Sequence, residues 1–558
     1  MRVKSFVSRG FDGEIVEVEV DLRRGIPGME VVGLPDVAVR ESRERVRVAL
    51  RNSGFAVPRE RILINLAPAG IKKEGASFDL PIAVAILHAS GQVSLPFDSL
   101  LVVGELELSG RVRAVDGVLA AVASGHTAGV ESALVPAENL QEARSVGDVF
   151  SIGIGALVEL PSVGAAVLHG KEELLDKTVG KQLGGSGTAG GGPGRVGRRR
   201  EGGGPEPDLA DMLGGEKLKR AVEIAAAGGH NLLLFGPPGV GKTMAARRLV
   251  PLMPDLSEKE AMEVTRIHSI AGLLGPKSGL LYRSPLRSPH HTASREGLIG
   301  GADGRPGEIS LAHRGVLFLD EALEFRKTIL QSLREPIERG EVEIARAGIH
   351  YRYPCRFQLI LAANTCPCGK LGQPEAVCMC SSLEIHRYWK KLGAALLDRV
   401  DMRLPVEPNS HVLSSREWAW GAESEAGVQE GYAKAEENGA ESGGKSSRGV
   451  ESSRVVAARV AEATAIQRER YASLGFGKNG EMGPEEVFAR TEMSVHASSL
   501  LEQSARTLGL SARAVQSVVK TARTIADLEG SDLVCEGHLA EAVEYRRYGD
   551  GDYFWKAA

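Results

Sequence analysis

The sequence predicts a multi-domain α/β protein: an α/β N-terminal domain, a parallel-sheet core with a phosphate-binding loop, and an all-helical C-terminal segment. Three observations predict it. Apolar strand-like runs alternate with helical patterns up to about residue 405, as strands joined by helical crossovers do. A glycine-rich loop at 236–243 stands between one such strand and a helix. From Ser453 to Arg547 the apolar spacing is helical throughout.

The elements follow in chain order. Ile15 to Val20 alternates at period two, as a half-buried strand does. Pro35 to Asn52 carries Val39, Val46 and Leu50 at helical spacing, and Ile62–Leu66 and Leu101–Gly104 read as buried strands. Together they make residues 1–183 one mixed α/β domain. Residues 184–207 are mostly Gly, Pro and Arg and can bury no core, so they form a flexible linker. The core, 208–405, opens with a helix (Ala210–Ala227) and the strand Asn231–Phe235. Further strands are Val316–Leu319 and Phe357–Ala362. Residues 406–452 form a second linker, whose acidic stretch 421–453 holds seven Glu against three Lys/Arg. Helices at Ser453–Tyr471, Ser494–Leu508, Ser511–Leu528 and Glu536–Arg547 form a domain at 453–548, several opened by a serine cap, before a tail at 549–558.

Length and composition bound the function. The chain has 558 residues, room for three or four domains of about 150. Its net charge of −4 excludes a histone-like basic coat but permits a local basic stripe. The longest apolar stretch, Phe78–Leu87, contains Asp79 and Pro81 and is too short to span a membrane. No apolar segment follows the early charges Arg2, Lys4 and Arg9. The expectation is a cytoplasmic protein with no membrane partner. Six cysteines make no disulfide scaffold; Cys355 and Cys535 stand apart and read as buried thiols.

Gly236-Pro237-Pro238-Gly239-Val240-Gly241-Lys242-Thr243, followed by Met244, matches G-x-x-x-x-G-K-[ST] in the strand–helix context it requires. Its glycines let backbone N–H groups surround phosphate oxygens, and the helix N-terminus adds positive potential. Lys242 would reach the β- and γ-phosphates of ATP, and Thr243 the Mg²⁺. Val316 to Leu319 ends in Asp320-Glu321, a buried strand delivering two acids to its C-terminal edge. Asp320 would hold Mg²⁺ and Glu321 would orient or deprotonate water. A third strand ends in Asn364, a polar residue able to meet that water or the γ-phosphate.

Cys366, Cys368, Cys378 and Cys380 form C-x-C-x₉-C-x-C, four thiolates able to close a structural Zn²⁺ site. A redox-active pair is the alternative, less favoured in a reducing cytosol. Residues 266–314 hold seven Lys/Arg against three acids, a basic segment able to contact DNA phosphates without reading sequence. Within it Arg283, Arg287, His290, His291 and Arg295 are candidate DNA contacts. Arg346 and Arg352 join them from a hairpin-like stretch, Val342–Phe357, with Ala347-Gly348 at its turn. Arg198-Arg199-Arg200 in the first linker adds non-specific attraction.

SPLRSPHHTAS (284–294), RPGEISLAHRGVLFLDE (305–321), NTCPCG (364–369) and LLDRVD (396–401) resemble the ComM/YifB branch of the magnesium-chelatase-like AAA+ ATPases. So do Gly33-Leu34-Pro35-Asp36, Ser77-Phe78-Asp79-Leu80-Pro81, Leu510–Arg513 and Ala522–Leu528. The likeness spans nearly the whole chain outside the two low-complexity stretches. One departure is Ala322-Leu323, where the family usually has Leu-Pro. The resemblance implies an AAA+ core, a helical lid and a homo-oligomeric ring, hexameric in the family's manner. It also implies a helicase-like DNA motor driving branch migration in natural transformation, in company with recombination machinery. It places Asn364 as sensor 1, between the first two core strands, Arg399 as the arginine finger and Arg513 as sensor 2.

Residues 1–183 resemble the Lon proteolytic domain in fold pattern, with Gly75-Ala76-Ser77 at the nucleophile region. Where that family has its base lysine, Leu119 stands here, and a serine without a base is a poor nucleophile. A non-proteolytic domain follows. The competing readings are a magnesium-chelatase motor subunit, which should lack the front domain, and an ATP-dependent protease, which should have the lysine.

Overall fold

The computed structural model describes residues 2–95, 99–163, 207–212, 214–275, 278–301, 304–346, 349–373, 376–408 and 451–548. Both low-complexity stretches, apart from their last few residues, and the tail lie outside these residues.

The N-terminal strands are β1 (Arg2–Arg9), β2 (Asp12–Arg23), β3 (Gly28–Val32), β4 (Arg61–Ala67), β5 (Leu100–Val102), β6 (Glu105–Leu106), β7 (Val112–Arg113), β8 (Ser132–Pro136) and β9 (Phe150–Ile154). Seven of them form one mixed sheet in the order β3-β4-β2-β1-β5-β8-β9, and β6 and β7 pair as a separate ribbon. The alternation at Ile15–Val20 lies inside β2, with Val16, Val18 and Val20 buried. The helix at Val37–Asn52 starts behind an Asp36 cap whose carboxylate accepts from Val39 N.

The core strands are β10 (Leu232–Phe235), β11 (Leu286–Arg287), β12 (Val316–Leu319), then a hairpin of β13 (Glu341–Arg346) and β14 (Ile349–Pro354), then β15 (Gln358–Ala363) and β16 (Met402–Pro405). Five run parallel in the order β11-β12-β15-β10-β16, so the strand ending at Asn364 lies between the other two functional strands. Alternate residues serve opposite layers, as in a sheet covered on both faces. Leu233, Phe235, Leu317, Leu319, Leu359 and Leu361 join a core shared with the N-terminal domain. Leu232, Leu234, Val316, Phe318, Ile360 and Ala362 face the C-terminal helices and the Glu216–Gly228 helix.

Three expectations are corrected. The first core helix starts at Glu216 rather than Ala210, because Gly214 and Gly215 both take left-handed φ near 69° and break any helix running through them. The last helix ends at Glu544. Cys535 is exposed at the start of that helix, while Cys355 is buried as expected.

The N-terminal domain is joined to the core by direct hydrogen bonds. Phe11 N donates to Arg352 O (2.8 Å) and Gly117 N to Ser269 O (3.0 Å). The Ser269 hydroxyl donates to the buried Glu142 carboxylate. The Arg266 guanidinium sits 4.5 Å from the Phe11 ring centroid and donates to Ser124 Oγ (2.8 Å). Among the described residues no helix is long and apolar enough to cross a membrane.

Candidate active site

The phosphate-binding loop leaves the C-terminal end of β10 and runs into the Lys242–Leu249 helix. Gly236 is required sterically: a Cβ there would lie 2.2 Å from Val406 O. Gly239 and Gly241 take φ of 83° and 90°, which opens the loop for inward-facing amides. Pro237 is buried, Pro238 exposed, Val240 half-buried, and Met244 exposed on the first helical turn.

Lys242 is buried, and its ammonium donates to Gly236 O and Pro237 O (both 2.8 Å) and to Asn364 Oδ1 (3.3 Å). Thr243 Oγ1 donates to Asp320 Oδ2 (2.9 Å). Five expected residues, Lys242, Thr243, Asp320, Glu321 and Asn364, thus meet at one sheet edge. Glu321 adopts φ 48°, a left-handed backbone that a residue with a Cβ holds only when its surroundings enforce it. Its exposed carboxylate is turned toward the loop mouth, with Oε2 3.6 Å from His291 Nδ1. A buried ammonium amid carbonyls, a loop of left-handed glycines and an adjacent hydroxyl–carboxylate pair fit a nucleoside triphosphate with Mg²⁺.

Burial pushes the Lys242 ammonium down to about 8, the Asp320 and Glu321 charges only partly opposing it. A bound polyphosphate favours the cation. Nucleotide binding at pH 8 therefore takes up about half a proton per site, and affinity falls as the pH rises further. Calorimetry in buffers of different ionisation enthalpy reads this as a slope. A heat independent of buffer at pH 8 contradicts it.

Arg399 and Arg513 meet elsewhere. Arg399 and Arg513 both bind Glu338 Oε1, the latter at 2.9 Å. Arg513's hydrogen bond first, and Arg399's charge after it, hold the Glu338 carboxyl below the usual carboxylate range. The Arg399 carbonyl accepts from Asn231 Nδ2 (2.9 Å), just before β10. Ser511 Oγ donates to Asp398 Oδ1 (3.0 Å) and Ser517 Oγ to Asp401 Oδ1 (2.8 Å), fixing the Ala512–Leu528 helix there. This cluster lies at the N-terminal edge of the sheet. The four residues of β10, ~13 Å of strand, separate it from the chain's own phosphate loop. Glu338 carried no local sequence signal.

Part of the basic segment is consumed internally. Arg287 is held bidentately by Glu308 (2.6 and 2.8 Å), so its charge is already paired and it is a poor phosphate contact. Arg266 is enclosed at the domain junction, and Arg314 pairs with Glu260 and Glu263. His290 stacks at 4.1 Å on His291, which places His291 beside Glu321 rather than out toward a polymer. Arg283, Arg295 and Arg352 have exposed side chains; that of Arg346 and the hairpin turn lie outside the described residues.

In the N-terminal domain Ser77 lines a cleft of ≈ 650 Å³ against the core, and Leu119 is fully buried. Lys73 gives its ammonium to Pro68 O and Lys72 pairs with Glu74, so neither serves Ser77 as a base.

Three family models match in succession. Subunit ChlI of Mg-chelatase covers residues 18–139, Magnesium chelatase, subunit ChlI, covers 208–413, and its C-terminal model covers 450–546. The chain is 37% identical to the uncharacterized protein YifB of Escherichia coli, over 96% of this chain and 95% of that one. It is 35% identical to the competence protein ComM of Haemophilus influenzae, over 98% and 97% of the two chains. The chain belongs to the magnesium-chelatase-like ComM/YifB family. An uncharacterized protein of Mycobacterium tuberculosis is 39% identical over 98% of this chain and 99% of its own. The magnesium-chelatase 38 kDa subunit of Rhodobacter capsulatus aligns over only 27% of this chain at 26% identity. The family implies an ATPase that uses ATP and Mg²⁺.

Proposed function

We propose that this ComM/YifB protein is an ATP-hydrolysing subunit of a hexameric ring that drives branch migration of recombining DNA, as in natural transformation. The observation that carries the ring reading is the Arg399–Glu338–Arg513 cluster. Its two guanidiniums sit a strand length away from their own phosphate loop, where only a neighbouring copy's nucleotide could use them. The name of the Haemophilus relative, a competence protein matched end to end, supports a role in natural transformation. The chelatase subunit, matched over about a quarter of the chain, supports protein remodelling less well.

In this reading Lys242 and the amides of 239–243 would bind the phosphates, and Thr243 and Asp320 would hold Mg²⁺. Bound Mg²⁺ supplies positive charge against the charge that builds on the leaving phosphate. Glu321 orients the attacking water and accepts its proton, while Asn364 fixes Lys242 on one side of the loop. Exposed Arg283, Arg295 and Arg352 give a grip on DNA phosphates without sequence preference. The N-terminal domain is Lon-like and non-proteolytic: Leu119 stands where a base lysine would, and Lys72 and Lys73 are engaged elsewhere. The C-terminal helices form the lid.

ATPase rate measured with and without branched DNA, together with movement of a four-way junction, tests the proposal. Stimulation by junction DNA and ATP-dependent strand exchange are expected. An ATPase indifferent to DNA that leaves junctions in place refutes the DNA motor and returns the protein to the partner-remodelling class.

A further inference from the structure

We propose that Cys366, Cys368, Cys378 and Cys380 bind one zinc ion in a closed tetrathiolate site, and that this site braces the phosphate-binding loop. The four sulfur atoms lie within 4.8 Å of one another. Three of the separations are 3.4 Å (Cys366–Cys368), 3.6 Å (Cys368–Cys378) and 3.6 Å (Cys366–Cys378). A tetrahedron with Zn–S bonds of about 2.3 Å has S···S edges of about 3.8 Å. A disulfide needs about 2.05 Å, so the arrangement suits one central ion and no pair is bonded. Leu371 N donates to Cys366 Sγ (3.4 Å), a backbone hydrogen bond of the kind that supports a ligating thiolate. Four protein ligands leave no open position, so the ion is structural and takes no substrate.

The bracing follows from where this loop lies. It begins at Asn364, whose side chain accepts from Lys242. A methyl built on Gly369 would stand 3.3 Å from Pro238 Cδ, so the loop backbone lies directly on the phosphate loop. Thr365 Oγ1 donates to Leu371 O (2.6 Å), and Thr365 O accepts from Trp389 Nε1 (3.0 Å). Trp389 meets the Phe235 ring, at the end of β10, edge-on at 5.7 Å. Ser381, next after the last cysteine, caps the Ser382–Trp389 helix through a reciprocal pair with Glu384. An ion joining Cys366 and Cys368 to Cys378 and Cys380 therefore closes a short loop whose two ends are anchored and whose middle rests on Pro237 and Pro238. The metal site stands apart from the nucleotide reading; any consequence for ATP affinity rests on that reading.

The full chain, purified under reducing conditions, is assayed for metal and for thiols. About one zinc per chain is expected, with four thiols protected until a mercurial releases the ion, and Cys535 reactive from the start. Metal-poor protein with all four thiols freely reactive, or protein carrying a Cys366–Cys368 disulfide, overturns the site. Hydrogen exchange with and without zinc then reads the brace. Amides at 236–243 should exchange about tenfold faster or more in stripped protein, return to the original rate on adding zinc, and leave the distant Ala512–Leu528 helix unchanged. Unchanged exchange at 236–243 overturns the brace. The Cys378→Ser/Cys380→Ser pair, both half-buried in the cluster, should show the same faster exchange, and zinc should not reverse it.

Discussion

Replacing Arg399 by alanine lowers ATP turnover by the assembled ring about 10³- to 10⁵-fold, a barrier increase of about 4–7 kcal/mol, while the variant still binds nucleotide. The expectation rests on position. Arg399 shares Glu338 with Arg513 at the N-terminal edge of the sheet, away from its own Lys242 and Asp320. Its guanidinium would complete a neighbour's site, where a planar cation with several donors meets the charge developing on the γ-phosphate. Lysine at this position should not restore the rate, because a point charge lacks that geometry. Mixing experiments separate a role in a neighbour's site from simple damage. Rings combining Arg399→Ala chains with Lys242→Ala chains should regain turnover at mixed interfaces, each chain supplying what the other lacks. Turnover within tenfold of the parent, or no recovery on mixing with both chains folded and assembled, contradicts the assignment.

Replacing Glu321 by glutamine lowers turnover about 10²- to 10⁴-fold with nucleotide affinity retained. The substitution keeps the shape of the side chain and removes its ability to take a proton from water. The hydrogen bond from Thr243 to Asp320, the pair that would hold Mg²⁺, does not involve the Glu321 carboxylate and should stay intact. Equilibrium binding of a fluorescent nucleotide beside single-turnover hydrolysis distinguishes the two effects. A large loss of binding would place Glu321 in nucleotide or metal binding, and undiminished hydrolysis would remove it from the chemistry. The neighbouring His291, 3.6 Å away, belongs to the basic segment expected to meet DNA.

The residues that meet at the C-terminal edge of the core sheet were legible one by one. Gly236 to Thr243, Asp320-Glu321 and Asn364 each sit within a few positions of a strand end. Strand period and the backbone freedom of glycine act over that range. The four cysteines were legible for the same reason, since two C-x-C pairs already place their sulfurs close. The charge count over 266–314 was a weaker guide. It registered Arg266, Arg287 and Arg314 as available cations, whereas Phe11, Glu308 and Glu263 take them up. Composition counts charges and is blind to their partners. The helix start at Glu216 was missed because Gly214-Gly215 lies inside an otherwise continuous helical pattern.

The sequence by itself determined the family, the glycine-rich loop at 236–243, the two acids that follow β12, and the cysteine quartet. These depend on backbone preferences and side-chain spacings that operate along the chain. Only the tertiary structure decided that Glu338, Arg399 and Arg513, spread over 175 residues, come together, and that they do so at the far edge from their own loop. It also decided that the cysteine loop rests on Pro237 and Pro238 and that His291 turns to Glu321. Such contacts are set by how the parallel sheet orders its strands and by which helices cover its two faces, and neither is written in any local stretch of residues.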